Sequence, residues 1–206
     1  MNDTELFSFP IIEGFLIGGG LIMAIGAQNA FVIRQGIKRQ HLLLTALTCL
    51  FCDVLLIILG VMGTGLLFQD IPHLEIIFRW IGGLFLCAYG LKSFYQVFHP
   101  HKLDPAQEPL KSTWQATLLT LLAFTFLNPH TYLDTLFLLG TVGGERPPEE
   151  HWPFILGATM ASTVWFFGLT YGASALSPLF KKTRTWQILD TVTGLIMVGM
   201  GIQLIL

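Results

Sequence analysis

Six stretches of this sequence are apolar over about the thickness of a bilayer, and little chain is left between them. A helix needs about 20 apolar residues to cross the hydrocarbon core. Residues 11–33, 42–68, 76–98, 114–141, 152–176 and 186–206 each come near or above that length. In hydrocarbon the backbone must satisfy its own hydrogen bonds, so segments of this kind become helices. Only 12% of the 206 residues are charged. Ordinary soluble domains carry about 25%, so this chain has too few charges to solvate a surface. The sequence therefore predicts an all-α integral membrane protein of six transmembrane helices, a single transmembrane domain over residues 1–206. The longest connection, after Phe98, is about fifteen residues. That argues against a receptor or an enzyme with an extramembrane active site, and nothing points to nucleic acid. The start, MNDTELFSFP, is acidic and lacks the basic opening of a secretory signal, so the first apolar segment is expected to stay in the mature protein.

The connections predict the orientation. RQGIKRQH holds Arg34, Lys38 and Arg39; HPHKLDPAQEPLKST holds Lys102 and Lys111; SPLFKKTRTW holds Lys181, Lys182 and Arg184. All three lie on one side. The opposite connections hold only Arg146, beside Glu145, Glu149 and Glu150. The positive-inside rule puts the basic side in the cytoplasm and both termini outside it. Trp80, Trp114, Trp152 and Trp186 sit near predicted span ends, where amphipathic rings anchor. Arg79 and Lys92 are close enough to span ends to snorkel, and Glu13, at the outer end of the first span, reads as solvated.

Three spans followed by three run in opposite senses. If the halves are related, they form an inverted repeat (about 9–98 and 114–206), an architecture of many secondary transporters. Residues 46–60 line up with 158–172 at both ends, and GLFLCAYG (83–90) lines up with GLIMVGMG (194–201). The first span of each half is the one interrupted by polar residues: GAQNAF in one, FLNPHTYLD in the other. Gly26 lets the first helix bend or unwind, and Pro129 removes a backbone donor from the second. Both are expected helix breaks. A broken helix exposes amides that attract a carboxylate and carbonyls that attract a cation. An amino acid carries both groups.

Asp53 lies eleven residues into its span. An aspartate at that depth costs about 2.5–3.5 kcal/mol, so it must face a cavity, pair with a cation or take a proton. Asp134 follows the Pro129 break. His130 fits a proton relay, a metal ligand or a simple hydrogen bond to a carbonyl. Tyr132, Ser162 and Thr163 fit either a pocket lining or contacts between helices. Cys49 and Cys52 form a CxxC within an apolar run, which reads as packing, with a redox or soft-metal site as the alternative. The glycine-lined faces (Gly82, Gly83, Gly90; Gly194, Gly199, Gly201) suit packing within one subunit or between two, as in a homodimer.

GAQNAFVIRQGI, CDVLLIILG and TFLNPHTYLDT together resemble the lysine/arginine exporter (LysE) family of bacterial inner-membrane amino acid exporters. The resemblance covers essentially the whole chain. Exporters of neutral amino acids and of cadmium share the architecture, and Gln28-Asn29 with the YLDT end follow the cationic branch. The resemblance implies a multi-pass inner-membrane protein, not an enzyme, that exports L-arginine or L-lysine with the proton motive force and needs no cofactor. By position it implicates Gln28, Asn29, Asp53, Asn128 and Asp134 in substrate binding, with Pro129 as the break in the second motif. Asp53 is the expected proton-coupling acid, and Arg34 has a topology or gating role. Two rivals remain: a soft-metal exporter using Cys49, Cys52 and His130, and a membrane thiol oxidoreductase using Cys49 and Cys52.

Overall fold

The computed structural model describes residues 3–23, 26–63, 72–98, 113–128, 131–178 and 183–205. Its helices are α1 (Asp3–Ile22), α2 (Ala27–Lys38), α3 (Leu42–Val61), α4 (Pro72–Phe98), α5 (Trp114–Phe126), α6 (Tyr132–Leu139, wound as a π-helix), α7 (Gly140–Gly144), α8 (Pro148–Ala175) and α9 (Thr183–Ile205). Among the described residues, α3, α8 and the Arg184–Gln203 part of α9 are each long and apolar enough to cross a membrane. The Phe9–Ile22 part of α1 and α2, bent by 83° at their junction, make a fourth when counted as one broken span. The protein is thus an all-α, membrane-spanning bundle with bent helices.

The first bend falls where the sequence is richest in small and amide residues. Gly26 caps α2 in an extended conformation with no side-chain cap. Asn29 Nδ2 donates to the carbonyl of Ile22, the last residue of α1, at 3.0 Å. That carbonyl would otherwise be one of the orphans every helix end leaves. A second break separates α5 from α6; Pro129, which was expected to make it, and His130 lie outside the described residues. The Tyr132 hydroxyl donates to the carbonyl of Phe126, the last residue of α5, at 2.8 Å. α6 then runs without interruption into α7.

Three helix packings are close enough to exclude any side chain at the contact. A Cβ at Gly14 would lie 2.2 Å from the Phe154 carbonyl oxygen, and one at Gly157 would lie 2.0 Å from that of Ile11, so α1 and α8 meet backbone to backbone. Gly60 of α3 meets the Leu136 carbonyl oxygen at 2.7 Å and Gly140 at 3.0 Å in the same sense. Between α4 and α9, Gly83 and Gly201 face each other's carbonyl oxygens at 2.9 and 2.8 Å, and Gly90 faces that of Gly194 at 3.1 Å. Small residues promote this approach in membranes, where no hydrophobic drive pulls helices together. The glycines read as suiting either packing mode are, at these four positions, used within one chain. Gly199 opens onto free space.

The α2–α3 turn is short because two non-glycine residues, Arg39 (φ 53°) and His41 (φ 51°), take the left-handed conformation. Each costs about 1–2 kcal/mol, and Arg39 is held there by its Nε bond to the Ser174 carbonyl at 3.2 Å. Exposed Lys38, Arg39, Lys92 and Arg184 gather at this end, where α2 and α4 finish and α9 begins. Glu145, Arg146, Glu149 and Glu150 lie at the other end. There the structure corrects one expectation: Glu13 is not simply solvated. It pairs with Arg146, which also binds Glu150 at 2.7 Å, and its side chain is 28% exposed.

Candidate functional site

A cavity of about 260 Å³ opens where the two breaks approach each other. α2 brings Gly26, Gln28 and Asn29 to it, α3 brings Asp53, and the second break brings Asn128, Thr131, Asp134 and Thr135. All five residues expected to bind substrate therefore line one space, although 106 positions separate Gln28 from Asp134 (134 − 28). Leu21 and Ile22 of α1, Phe166 of α8 and Met200 and Gln203 of α9, which complete the lining, were not singled out from the sequence. A phenylalanine and a methionine in apolar spans carry no signal that separates lining from packing. Arg34 does not reach the cavity.

The polar groups are divided by helix. Both carboxylates, Asp53 and Asp134, come from α3 and α6, the pair closed by Gly60 against Leu136. The neutral amides of Gln28 and Asn29 come from α2. Among the described residues no Lys or Arg lines the cavity. Asp53 is 4% exposed, and its Oδ2 accepts a hydrogen bond from Ser162 Oγ of α8 at 3.1 Å. Ser162 is thus a partner of the acid rather than lining. Gln28 Oε1 accepts from Thr125 Oγ1 of α5 at 3.3 Å.

Asn29 differs from Gln28. Its Nδ2 bridges the first break, and its Oδ1 accepts from Trp165 Nε1 at 3.3 Å. Both ends of its amide are engaged within the protein, so its geometry is that of a splint. Tyr132 makes the matching bond at the second break but, unlike Asn29, is not part of the lining.

Arg34, expected at a helix end with a topology or gating role, is buried. Its Nη1 lies 3.1 Å from Asp190 Oδ1 of α9, and its Nη2 donates to Gln96 Oε1 of α4. Asp190, an acid four residues past Trp186 in an apolar span, obeys the same rule that marked Asp53. That signal could have found it.

A paired-acid cavity between broken helices is what the GAQNAF and LNPHTYLD motifs were expected to build, and comparison with known proteins decides the family. The LysE type translocator family model matches residues 20–206. The chain belongs to that family. It is a multi-pass inner-membrane protein. It is 42% identical over 193 residues to a protein of Aeromonas salmonicida named as an amino-acid transporter, YggA, with 94% of each chain covered. It is 39% identical over 193 residues to the arginine exporter protein ArgO of Serratia proteamaculans, again with 94% of each covered. It is 34% identical over 223 residues to the lysine exporter LysE of Corynebacterium diphtheriae, covering 95% of this chain and 98% of that one. No solved structure matches the chain.

Proposed function

We propose that this LysE-family translocator exports basic L-amino acids, arginine or lysine, from the cytoplasm, driven by the proton motive force. The observation that carries the reading is the acid wall: two carboxylates in one small cavity, with no Lys or Arg lining it among the described residues. Its volume is below the roughly 300–1,000 Å³ of drug-sized sites, which suits a small solute. The similarity to an arginine exporter, ArgO, and to a lysine exporter, LysE, supports the choice of a basic amino acid.

In this mechanism Asp53 is neutralised either by a proton or by the substrate's side-chain cation, and exchanging one for the other couples the two flows. Asp134 orients the cation from α6. Gln28 and Asn128 complete the site, Asn29 and Tyr132 hold the broken ends in place, and Gly26 and Pro129 make the breaks. Arg34 belongs to a gate.

The same reading takes the chain as six spans in two inverted repeats, about 9–98 and 114–206, within one domain of 206 residues. Two contacts support it. If residues 83–90 correspond to 194–201, the Gly83–Gly201 contact maps onto the Gly90–Gly194 contact, and both occur. The close α2–α8 contact at Gly36 likewise has a counterpart in α3 with α6 and α7 at Gly60 and Gly140. The segregated charges support a cytoplasmic basic end and two external termini. One chain supplies the whole cavity, so a homodimer is not needed for it.

Neutral amino acid export leaves two carboxylates without a role. A soft-metal exporter needs converging ligands; among the described residues no three His, Cys, Asp or Glu side chains form such a group, and His130 lies outside them. Cys49 and Cys52 are free, buried thiols, placed as packing residues rather than reactive ones. Efflux from cells preloaded with dipeptides tests the proposal: arginine or lysine should leave faster than threonine, and a Cys49→Ser/Cys52→Ser variant should export normally. Threonine efflux equal to that of arginine would reject the basic-substrate reading.

A further inference from the structure

Between the cavity and the basic end lie two layers of side chains that the sequence reading did not connect. The first is aromatic. Phe31 of α2 has its ring centroid 6.0 Å from Tyr89 of α4 and 5.4 Å from Phe124 of α5. Phe124 in turn lies 5.1 Å from both Phe85 and Tyr89 of α4. Four rings from three helices therefore close on one point, with Phe124 fully buried. The second layer is ionic: Arg34 of α2 on Asp190 of α9 at 3.1 Å, with Gln96 of α4 accepting from the same guanidinium.

Their order along the helices is set by the sequence. On α2, Gln28 lines the cavity, Phe31 follows, then Arg34, then exposed Lys38. At about 1.5 Å per residue, Arg34 stands about 9 Å beyond Gln28. On α9, Asp190 stands about 15 Å from the lining residue Met200, on the basic side. On α4 the rings at Phe85 and Tyr89 precede Gln96, which lies near the basic end. α2 carries the full order of cavity, rings, ion pair and basic surface, α9 repeats its cavity and ion-pair steps, and α4 repeats its rings and ion-pair steps.

We propose that these two layers are the gate that closes the cavity at the basic end, and that opening requires α2 to part from α4 and α9. The proposal rests on the reading of the protein as a transporter and deepens the role of Arg34. Buried ion pairs are poor devices for raw stability but are strongly unfavourable to break one partner at a time, which suits a clasp with two defined states. The tight packings elsewhere leave this contact as a natural place to part. α4 and α9 are locked together by glycines, as are α1 and α8, and the Gly36 contact with Thr170 and Ala173 fastens the end of α2 to α8. The links from α2 to the α4–α9 pair are side-chain contacts.

The test labels the cavity rather than following transport. In a background with Cys49, Cys52 and Cys87 changed to Ser, Thr135→Cys places a thiol in the lining. A charged, impermeant thiol reagent is applied separately to each face of the membrane, in intact cells and in inverted vesicles. Arg34→Gln or Asp190→Asn should speed labelling from the basic face by about tenfold and leave the other face unchanged. The charge exchange Arg34→Asp/Asp190→Arg should return labelling to its slow rate, and this separates a clasp from general misfolding. Phe124→Ala should also speed labelling from the basic face. Unchanged labelling in the Arg34, Asp190 and Phe124 variants, or equal acceleration from both faces, would overturn the gate. No transported solute enters this readout, so failure to export arginine would leave the gate standing, and unchanged labelling would remove the gate but not the basic-substrate reading.

Discussion

At the first break the orphan carbonyl of Ile22 is taken by an amide, Asn29, which Trp165 holds from α8. At the second, the orphan carbonyl of Phe126 is taken by a hydroxyl, that of Tyr132, and the chain continues as a π-helix. The backbone problem is the same, and the solutions leave different chemistry beside them. The first break presents only neutral amides to the cavity, whereas the second presents Asp134 beside the amide of Asn128, in the cavity that Asp53 of α3 also lines. The two breaks thus differ in charge: the second adds a carboxylate to the cavity and the first adds none. Two amide-lined breaks could build a cavity but could not tell a cation from a neutral solute; the carboxylates can.

The largest effects should come from the scaffold that the two breaks share. Gly157→Val on the α1–α8 side and Gly60→Val on the α3–α6 side both drive side chains into backbone, at sites where even a Cβ comes within 2.0 and 2.7 Å. Overpacking costs about 1–3 kcal/mol and more when backbone cannot yield, so both variants should lose most of their folded protein on size-exclusion chromatography in detergent. Gly168→Ala, where a Cβ meets nothing, should be neutral or gain up to about 1 kcal/mol from helix propensity.

Charge is the next difference to break. Asp134→Asn keeps the shape of the acid wall and removes one carboxylate. It should lower arginine efflux by about tenfold or more, in line with the loss of a charged partner worth about 1.5–3 kcal/mol, while Gln28→Ala at the first break should cost less. Equal losses would mean that the two breaks do not differ in function.

Smaller effects should come from the splints. Asn29→Ala leaves the Ile22 carbonyl and the Trp165 indole unpaired, a loss of about 1–3 kcal/mol. Tyr132→Phe removes a single bond of about 1 kcal/mol. Thermal unfolding in detergent should therefore show a larger drop for Asn29→Ala. If each residue is a splint, both variants should slow arginine and lysine efflux alike, without changing the ratio of the two.

Much of this was legible in the sequence because hydrocarbon imposes strict rules. Apolar length marked the helices, and a buried carboxylate marked Asp53. The two polar interruptions marked where the cavity would form. The rest depended on contacts between distant spans. Asn29 and Gln28 are adjacent amides, and only the positions of the Ile22 carbonyl and Trp165 tell which of the two is also a splint. Ser162 read equally as lining or as a contact between helices until its hydroxyl was seen to donate to Asp53. Arg34 stood apart in the sequence as a loop-end cation, since its partners, Gln96 and Asp190, come from the third and sixth apolar stretches. Glu13 read as solvated because the arginine that pairs with it lies 133 positions away.

The central claim is that one ionisable group on the acid wall exchanges a proton for a cationic amino acid. The direct measurement uses purified protein in proteoliposomes loaded with labelled arginine, with and without an imposed proton gradient, comparing wild type with Asp53→Asn. Asparagine keeps the acceptor for Ser162 but cannot take up or release a proton. The expected result is that Asp53→Asn elutes as folded protein and fails to respond to the gradient, while the wild-type protein drives arginine across. Gradient-driven arginine transport by Asp53→Asn at the wild-type rate would contradict the claim and leave Asp53 a structural residue.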